Sequence, residues 1–325
     1  MINRKQMKGS EWRNWIIYFA VPCLKGLINQ EHITPVELLS HGAFLLSLDN
    51  ILPENIIEAD RCLRQFLDLN EQLYGIEKTK LNLHTLVHFS RSVSENGNLW
   101  CYSTFNFESW NHKIIQTVSS PQGALLQILV RHLIYSSLEL ARHSLQNISL
   151  PIRSQLSKIM TKKRMTRAYQ FSQHVYLMGK VTIRNTTEQE QKVLQQLGFI
   201  NIGAVQEYSK ISINSSVYCP MKHVKNGSKS DNSLIYTHGD TYCSIESVVR
   251  FQTEEGTDKC GLLVSEHQVT NRTHFNVARH ISCLLEHAND LPHFVTPEEV
   301  RSFVVKMPLH GEMYVVPLPN LYEID

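Results

Sequence analysis

Net charge, paired cysteines and long apolar runs are all scarce in this 325-residue chain. Formal net charge is +2, from 32 Lys and Arg against 30 Asp and Glu, so the chain as a whole is not a polycation. Any nucleic-acid surface has to come from local segregation of charge. The seven cysteines (Cys23, Cys62, Cys101, Cys219, Cys243, Cys260 and Cys283) lie far apart, with no CxxC. That spacing excludes a zinc ribbon or redox dithiol, and the odd count points to reduced thiols inside a cell. Asn-x-Ser/Thr triplets, such as those at Asn147, Asn185, Asn214 and Asn271, matter only in a secreted chain. Trp15 to Leu24 is the apolar run nearest to a signal peptide, behind Arg4, Lys5 and Lys8. Glu11 and Arg13 crowd its start, Lys25 follows it, and no small-x-small cleavage site appears. It is too short to span a bilayer, so a core helix is the better reading and no membrane partner is expected. The P-loop, GxGxxG and the nucleophile elbow are also missing.

What is present is a globular composition, 42% hydrophobic and 19% charged, long enough for two domains. The first half reads helical. Ser10 is placed to cap a first helix in which Trp12, Trp15, Ile16, Phe19 and Cys23 recur at helical spacing and which Pro22 should kink or divide. Thr34-Pro35 opens a second helix to about Leu48. Pro53 opens a third, with Ile56, Ile57, Leu63, Phe66, Leu67 and Tyr74 inward and Gly75 as its stop. A fourth runs from about Leu81 to Val93 and ends at Asn96-Gly97. Pro121 opens a fifth to about Ser144, with Leu125, Ile128, Leu129, His132 and Leu133 on one face.

The character changes after Pro151. From Arg142 to Arg184 there are nine basic residues and no acid, with Tyr169, Phe171 and Tyr176 near the end. Beyond it, Val175 to Ile183 reads as a strand and Glu188 to Leu197 as a short helix. Val217 to Asp231 reads as a loop, and Ser233–Phe251 and Phe303–Leu318 read as hairpins. The expected fold class is α+β. It comprises a mainly helical region over 1–150, a basic connector over 151–187 and a small β-rich region over 188–325.

Three constellations could carry chemistry. His84 and His88 stand four apart, half of a zinc site, but Thr85 occupies the place of a zincin glutamate and no third ligand is near. Buried, hydrogen-bonded core histidines are the favoured reading, and no metal is assigned. Glu108 lies between Phe107 and Trp110. It reads either as a surface glutamate or as one of the acidic residues that hold two Mg²⁺ ions in strand transfer, which one carboxylate cannot do alone. In the basic segment, Arg153, Lys158, Lys162, Lys163, Arg164 and Arg167 are the candidates for phosphate contact, with salt-dependent affinity. Lys162-Lys163-Arg164 equally suits nuclear import. Such contacts position without specifying sequence.

The order of these motifs resembles cut-and-paste DNA transposases of the CACTA (En/Spm-like) group and their animal relatives. Met7-Lys8-Gly9-Ser10-Glu11-Trp12-Arg13-Asn14-Trp15 looks like that family's W-K-A-S-E-x-R-x-W/F element. Leu73-Tyr74-Gly75 follows, then Asn82 to His88 as N-x-H-x-L-x-H. Gly97-Asn98-Leu99 stands for G-P-L, and Ser103 to Glu108 for S-x-F-x-F-E, with Phe105 and Phe107 as its aromatics. The match covers roughly residues 4 to 140. Val304 to Pro308 and Tyr314 to Leu318 look like the family's C-terminal end. The resemblance implies derivation from a DDE-type enzyme, the helical half flanking an RNase H-like core, with Glu108 as the last acid. The first two acids would lie upstream of this chain, which would then need Mg²⁺ only together with that upstream part. Asn98 departs from the usual Pro, and plant relatives carry Asp-Cys-His where Glu11-Trp12-Arg13 stands. The expected function is nuclear DNA binding, or assembly with itself or other transposase chains, without catalysis by this chain alone. A truncated copy of an active strand-transferase and a protein-interaction module stay open beside it, as does a cytoplasmic location.

Overall fold

A computed structural model of the chain describes residues 7–144, 168–224, 231–270 and 275–320. Helices fill the first part and an antiparallel sheet the second, as the change of periodicity predicts.

The first helix, α1 (Gly9–Asn14), starts before Ser10. Its cap is Lys8, whose backbone N–H donates to Glu11 Oε2 at 2.7 Å. The chain then widens into a π turn at Trp15–Phe19 and returns to α geometry in α2 (Ala20–Leu24). The irregularity falls just ahead of Pro22, which has no N–H for the carbonyl of Tyr18. The widened turn also re-aims the buried stripe. Ile17, Tyr18, Ala20 and Val21 face the core, whereas Trp12 is exposed. Helix α3 (Gln30–Leu46) begins a turn earlier than Thr34-Pro35 suggests and carries Pro35 within it. In α4 (Pro53–Tyr74), Ala59, Cys62, Leu63, Phe66 and Leu67 are buried, while Ile57 and Tyr74, both expected inside, are exposed. Gly75 ends α4 at φ +85°, a left-handed value that favours glycine. Next come α5 (Leu81–His84), a 3₁₀ turn over Thr85–His88 and α6 (Phe89–Asn96). Helix α7 (Thr104–Gln116) and helix α8 (Ala124–Ser144) follow, the latter opening three residues after Pro121.

The sheet strands are β1 (Ala168–Gln170), β2 (Val175–Asn185), β3 (Ala204–Ile213), β4 (Ser216–Tyr218), β5 (Leu234–Thr237), β6 (Tyr242–Gln252), β7 (Asp258–Val269), β8 (Ser282–Val295), β9 (Val300–Leu309) and β10 (Glu312–Pro317). Helix α9 (Glu188–Gln196) lies between β2 and β3, capped by Thr187, whose hydroxyl accepts from the Glu190 N–H. The strand order is β1-β2-β3-β6-β5-β9-β10-β8-β7, and β7 pairs again with β6. That second pairing closes β5, β9, β10, β8, β7 and β6 into a ring in which each strand is hydrogen-bonded on both sides. Closure removes the exposed edges that open sheets must protect. Strands β1 to β4 extend from the ring through β3, which takes the part of the β6 edge that short β5 leaves free. Residues 168–185, inside the segment read as a connector, thus build β1 and β2.

Two compact units result, Met1–Cys101 with Arg167–Asp325, and Tyr102–Thr166. In the larger unit one core spans helices and ring. Ile17, Val21, Phe44, Leu46 and Leu63 pack with Phe275, Ala278, Ile281, Met307, Tyr314 and Val316. A second core fills the sheet around Leu177, Ile211, Ile235, Ile245 and Leu262. Glu37, fully buried in α3, accepts from the Val277 backbone N–H at 2.8 Å and from Gln30 Nε2 at 3.2 Å. The Asp49 N–H donates to Pro319 O at 2.9 Å, and Asn320 Nδ2 to Ser47 O at 2.9 Å. No helix among the described residues is long and apolar enough to cross a membrane.

Candidate functional site

Glu108 falls in the second turn of α7 and is exposed. Its neighbour Phe107 is 64% exposed and Trp110 is 53% exposed, with Lys113 Nζ 5.8 Å from the Trp110 ring centre. Phe105 is also on α7, but its side chain lies outside the described residues. The turn after α7 is fastened from α8. Gln127 Oε1 accepts from the Ser119 N–H at 2.9 Å, and its amide donates to Ser120 O and Gln122 O at 3.0 and 2.9 Å. Arg131 reaches back to the Thr117 carbonyl. The hairpin thus has a defined geometry and holds Glu108 on a regular helix. Among the described residues, no group of three His, Cys, Asp or Glu is arranged to hold a metal ion. Two-metal chemistry requires several oxygen ligands converging on each ion, so Glu108 fits it only with acids from elsewhere.

His84 and His88 are exposed, not buried as their spacing suggests. The helix tightens to 3₁₀ between them, and their rings meet edge to face at 5.5 Å. The tighter turn takes both off the core face that Leu83, Leu86 and Val87 supply. Asn98 has a structural task where the resembling family has Pro. Its amide donates to Leu48 O at 2.5 Å and Asp49 O at 2.8 Å, tying the end of α6 to the end of α3.

Arg153, Lys158, Lys162, Lys163, Arg164 and Arg167 lie outside the described residues. Arg184, the last of the nine cations in that stretch, is turned inward. Its guanidinium forks onto both Glu190 oxygens at 2.7 Å and its Nε reaches Glu207 Oε2 at 2.5 Å, while Lys222 binds the other Glu207 oxygen. Burial pushes both carboxyls up in pKa, but the facing cations outweigh it and hold them below the usual carboxylate range. Tyr169, an aromatic of the same stretch, is covered by the Arg250 guanidinium at 4.1 Å from its ring centre, and Arg250 in turn binds Asp258 at 2.6 Å.

One polar cluster has no signature in the sequence. His41 on α3 and His280, which precedes β8, stack at 5.3 Å with their Nδ1 atoms 3.1 Å apart. His280 Nε2 is 3.1 Å from Ile17 O, and Ser40 Oγ is 3.3 Å from both. A carbonyl only accepts, so His280 carries its proton on Nε2, and its bare Nδ1 accepts from His41 Nδ1–H. Both imidazoles are held neutral. Burial lowers His41 to about 4, with Arg279 and Arg61 adding to the effect against Glu58. Burial and the neighbouring His41 lower His280 to about 3, against the Ile17 hydrogen bond. The pair lies 239 positions apart, and no local spacing rule could have joined it. Its form suits a structural rivet between helices and ring.

No family model matches the chain, and neither does any curated protein or solved structure.

Proposed function

We propose that the chain is a transposase-derived nuclear protein that binds DNA or assembles with transposase chains, and that it is catalytically incomplete alone. The observation carrying this reading is the ordered run from Asn82-x-His84 through Gly97 to Ser103–Glu108, which resembles the CACTA-group pattern in residue type and spacing. Within it Glu108 is the candidate last acid, on a helix flanking an RNase H-like core that another chain or an upstream part would provide. Mg²⁺ belongs to that complete assembly. DNA contact is assigned to the acid-free stretch holding Arg153, Lys158, Lys162, Lys163, Arg164 and Arg167, where each neutralised phosphate releases counterions.

The assembly arm is favoured by α7 and α8. Ile115, Leu125, Leu126, Leu129, Leu133 and Leu140 are each more than half exposed. The apolar side chains of α8 are distributed around the helix, a composition that belongs in a packed environment.

The test is duplex-DNA affinity measured across a salt series, for the chain and for its Lys162→Ala/Lys163→Ala/Arg164→Ala variant. The variant should bind more weakly, with a log–log salt slope shallower by up to about 0.9 for each phosphate it no longer neutralises. An unchanged slope removes the basic stretch as the DNA contact. Affinity for another protein, with no salt-dependent DNA binding, replaces the reading with an interaction module.

A further inference from the structure

A cleft of about 430 Å³ opens where the end of α3 meets the ring, between β5, β6, β9 and the 317–320 segment. Its volume is in the range of small-ligand sites. One irregularity in the ring shapes it. Tyr236 pairs with Ser302 and Thr237 with Val300, so Arg301 is an extra residue on β9, a β-bulge. In a regular strand Arg301 and Ser302 would point to opposite faces; the bulge lets both line the cleft. Ser302 is 5% exposed, and its hydroxyl is a buried group without a hydrogen-bond partner among the described residues. Such groups are rare in folded proteins, because water is lost and nothing replaces it. Arg301 is backed by the Tyr236 ring at 5.6 Å and held by a long 3.4 Å contact to exposed Asp240, which leaves most of its donors available. Tyr236 leans on Tyr242 at 4.9 Å to make an aromatic wall, and Arg279 lines the cleft from the chain segment before β8.

We infer that this cleft is a nucleotide site: it takes a phosphate ester that carries a planar base. Arg301 and Arg279 supply planar donors for the phosphate, which guanidinium groups bind in a fork. The Arg301 guanidinium, backed on one side by the Tyr236 ring, offers its other flat face to a base. Asp240 and Asp49, at the rim, can accept from sugar hydroxyls. The same chemistry serves a free mononucleotide or one unit of a single strand. This inference uses none of the residues assigned to DNA above and does not rest on the transposase reading.

The experiment is calorimetric titration of the full chain with adenosine 5′-monophosphate, adenosine, inorganic phosphate and a 5′-phosphorylated single-stranded oligodeoxynucleotide. The monophosphate should bind more tightly than either of its parts. An oligonucleotide that binds better still identifies a strand as the source, and one that does not bind identifies the free nucleotide. Arg301→Gln should weaken the monophosphate by about tenfold or more. Arg279→Gln, which removes the second cation of the lining, should weaken it several-fold. Absence of monophosphate binding, binding no tighter than phosphate alone, or unchanged affinity in both folded variants overturns the inference. The Lys162→Ala/Lys163→Ala/Arg164→Ala variant should bind the monophosphate normally, so loss of duplex binding there does not count against the cleft.

Discussion

At Gly261 strands β7 and β8 come close enough to exclude even a methyl group. A Cβ there would stand 2.4 Å from Phe294 Cζ and 2.7 Å from the Val295 carbonyl oxygen. Phe294 cannot simply swing aside, because Phe199 and Phe251 hold it edge to face at 6.3 and 5.8 Å. Gly261→Ala should therefore lower stability by about 1–3 kcal/mol through overpacking, read as a fall in the urea midpoint at unchanged slope. A neutral result would mean that the ring tolerates a wider β7–β8 spacing. The His41–His280 pair gives a second residue-scale expectation. More than about one unit above pH 6.5 both imidazoles are neutral folded and unfolded, and they contribute no pH dependence. Below it the unfolded chain takes up protons that the folded chain refuses, until pH approaches about 4 for His41 and about 3 for His280. Stability should fall by about 1.4 kcal/mol per pH unit for each histidine in that window. His267, also lowered by burial, adds to the slope, so the informative quantity is a difference between proteins. His280→Gln should reduce the slope between pH 6 and 4.5 by about one histidine's share, and identical slopes would show that the pair titrates normally.

At the scale of elements, α9 packs on the sheet through Leu194 and is pinned to it by a shared cation. Arg184 on β2 binds Glu190 on α9 and Glu207 on β3, with side-chain exposures of only 12% and 11% for the two acids. Replacing Arg184 by Ala leaves Lys222 to serve Glu207 and nothing of equal geometry for Glu190 among the described residues, at a cost of about 2–4 kcal/mol near neutrality. Both carboxyls are held below their unfolded pKa, so their contribution is present above about pH 4.5 and lost as pH falls through the lowered folded values. Arg184→Ala should accordingly shrink the stability gap to the parent protein on acidification. A gap that stays constant from pH 7 to pH 3 would make the interaction one of packing, not charge. Legibility in the sequence follows the range of each interaction. Pro53, Gly75 and Gly97 are local signals, and α4, its end and the end of α6 lie where they point. The β5–β6 and β9–β10 hairpins announce themselves by their turns. Strand β7 pairs with β6 across the short turn at residues 253–257, a local signal left unread above, whereas β8 meets β10 past the intervening β9. The bulge at Arg301 likewise exists only relative to β5. His84 and His88 lie outside the core because helical spacing sets a face without saying which face is covered.

At the scale of the molecule, the helices before residue 101 have no complete core of their own. Phe44, Leu46 and Leu63 bury themselves partly against Phe275, Ile281, Tyr314 and Val316, more than two hundred residues later. The polar joints are equally distant. Glu37 serves Val277, Lys25 serves Tyr314 at 2.8 Å, and Asp49 serves Pro319. An isolated helical piece would keep the cluster of Leu38, Cys62, Phe66 and Leu67 but expose the face that Phe44, Leu46 and Leu63 present to the ring, and leave Glu37 without the Val277 N–H. A fragment of residues 7–101 should therefore show weak, non-cooperative helicity, whereas the full chain should lose the ellipticity of this layer and the tertiary signal of the ring together. The check is far-ultraviolet and near-ultraviolet circular dichroism along one urea series, with Tyr314→Ala as the probe of the joint. Coincident transitions that move together in Tyr314→Ala establish one cooperative unit. A fragment that unfolds cooperatively by itself would make the helical layer an independent domain and its shared core incidental. The nucleotide cleft depends on the outcome, because its walls come from both sides of this joint: Leu48 and Asp49 from the helical side, Arg301 and Ser302 from the ring. A chain that folds as one unit presents those walls at fixed spacing, as binding without reorganisation requires. Tyr314 does not itself line the cleft, so Tyr314→Ala should then weaken monophosphate binding mainly through the fraction of chain it unfolds.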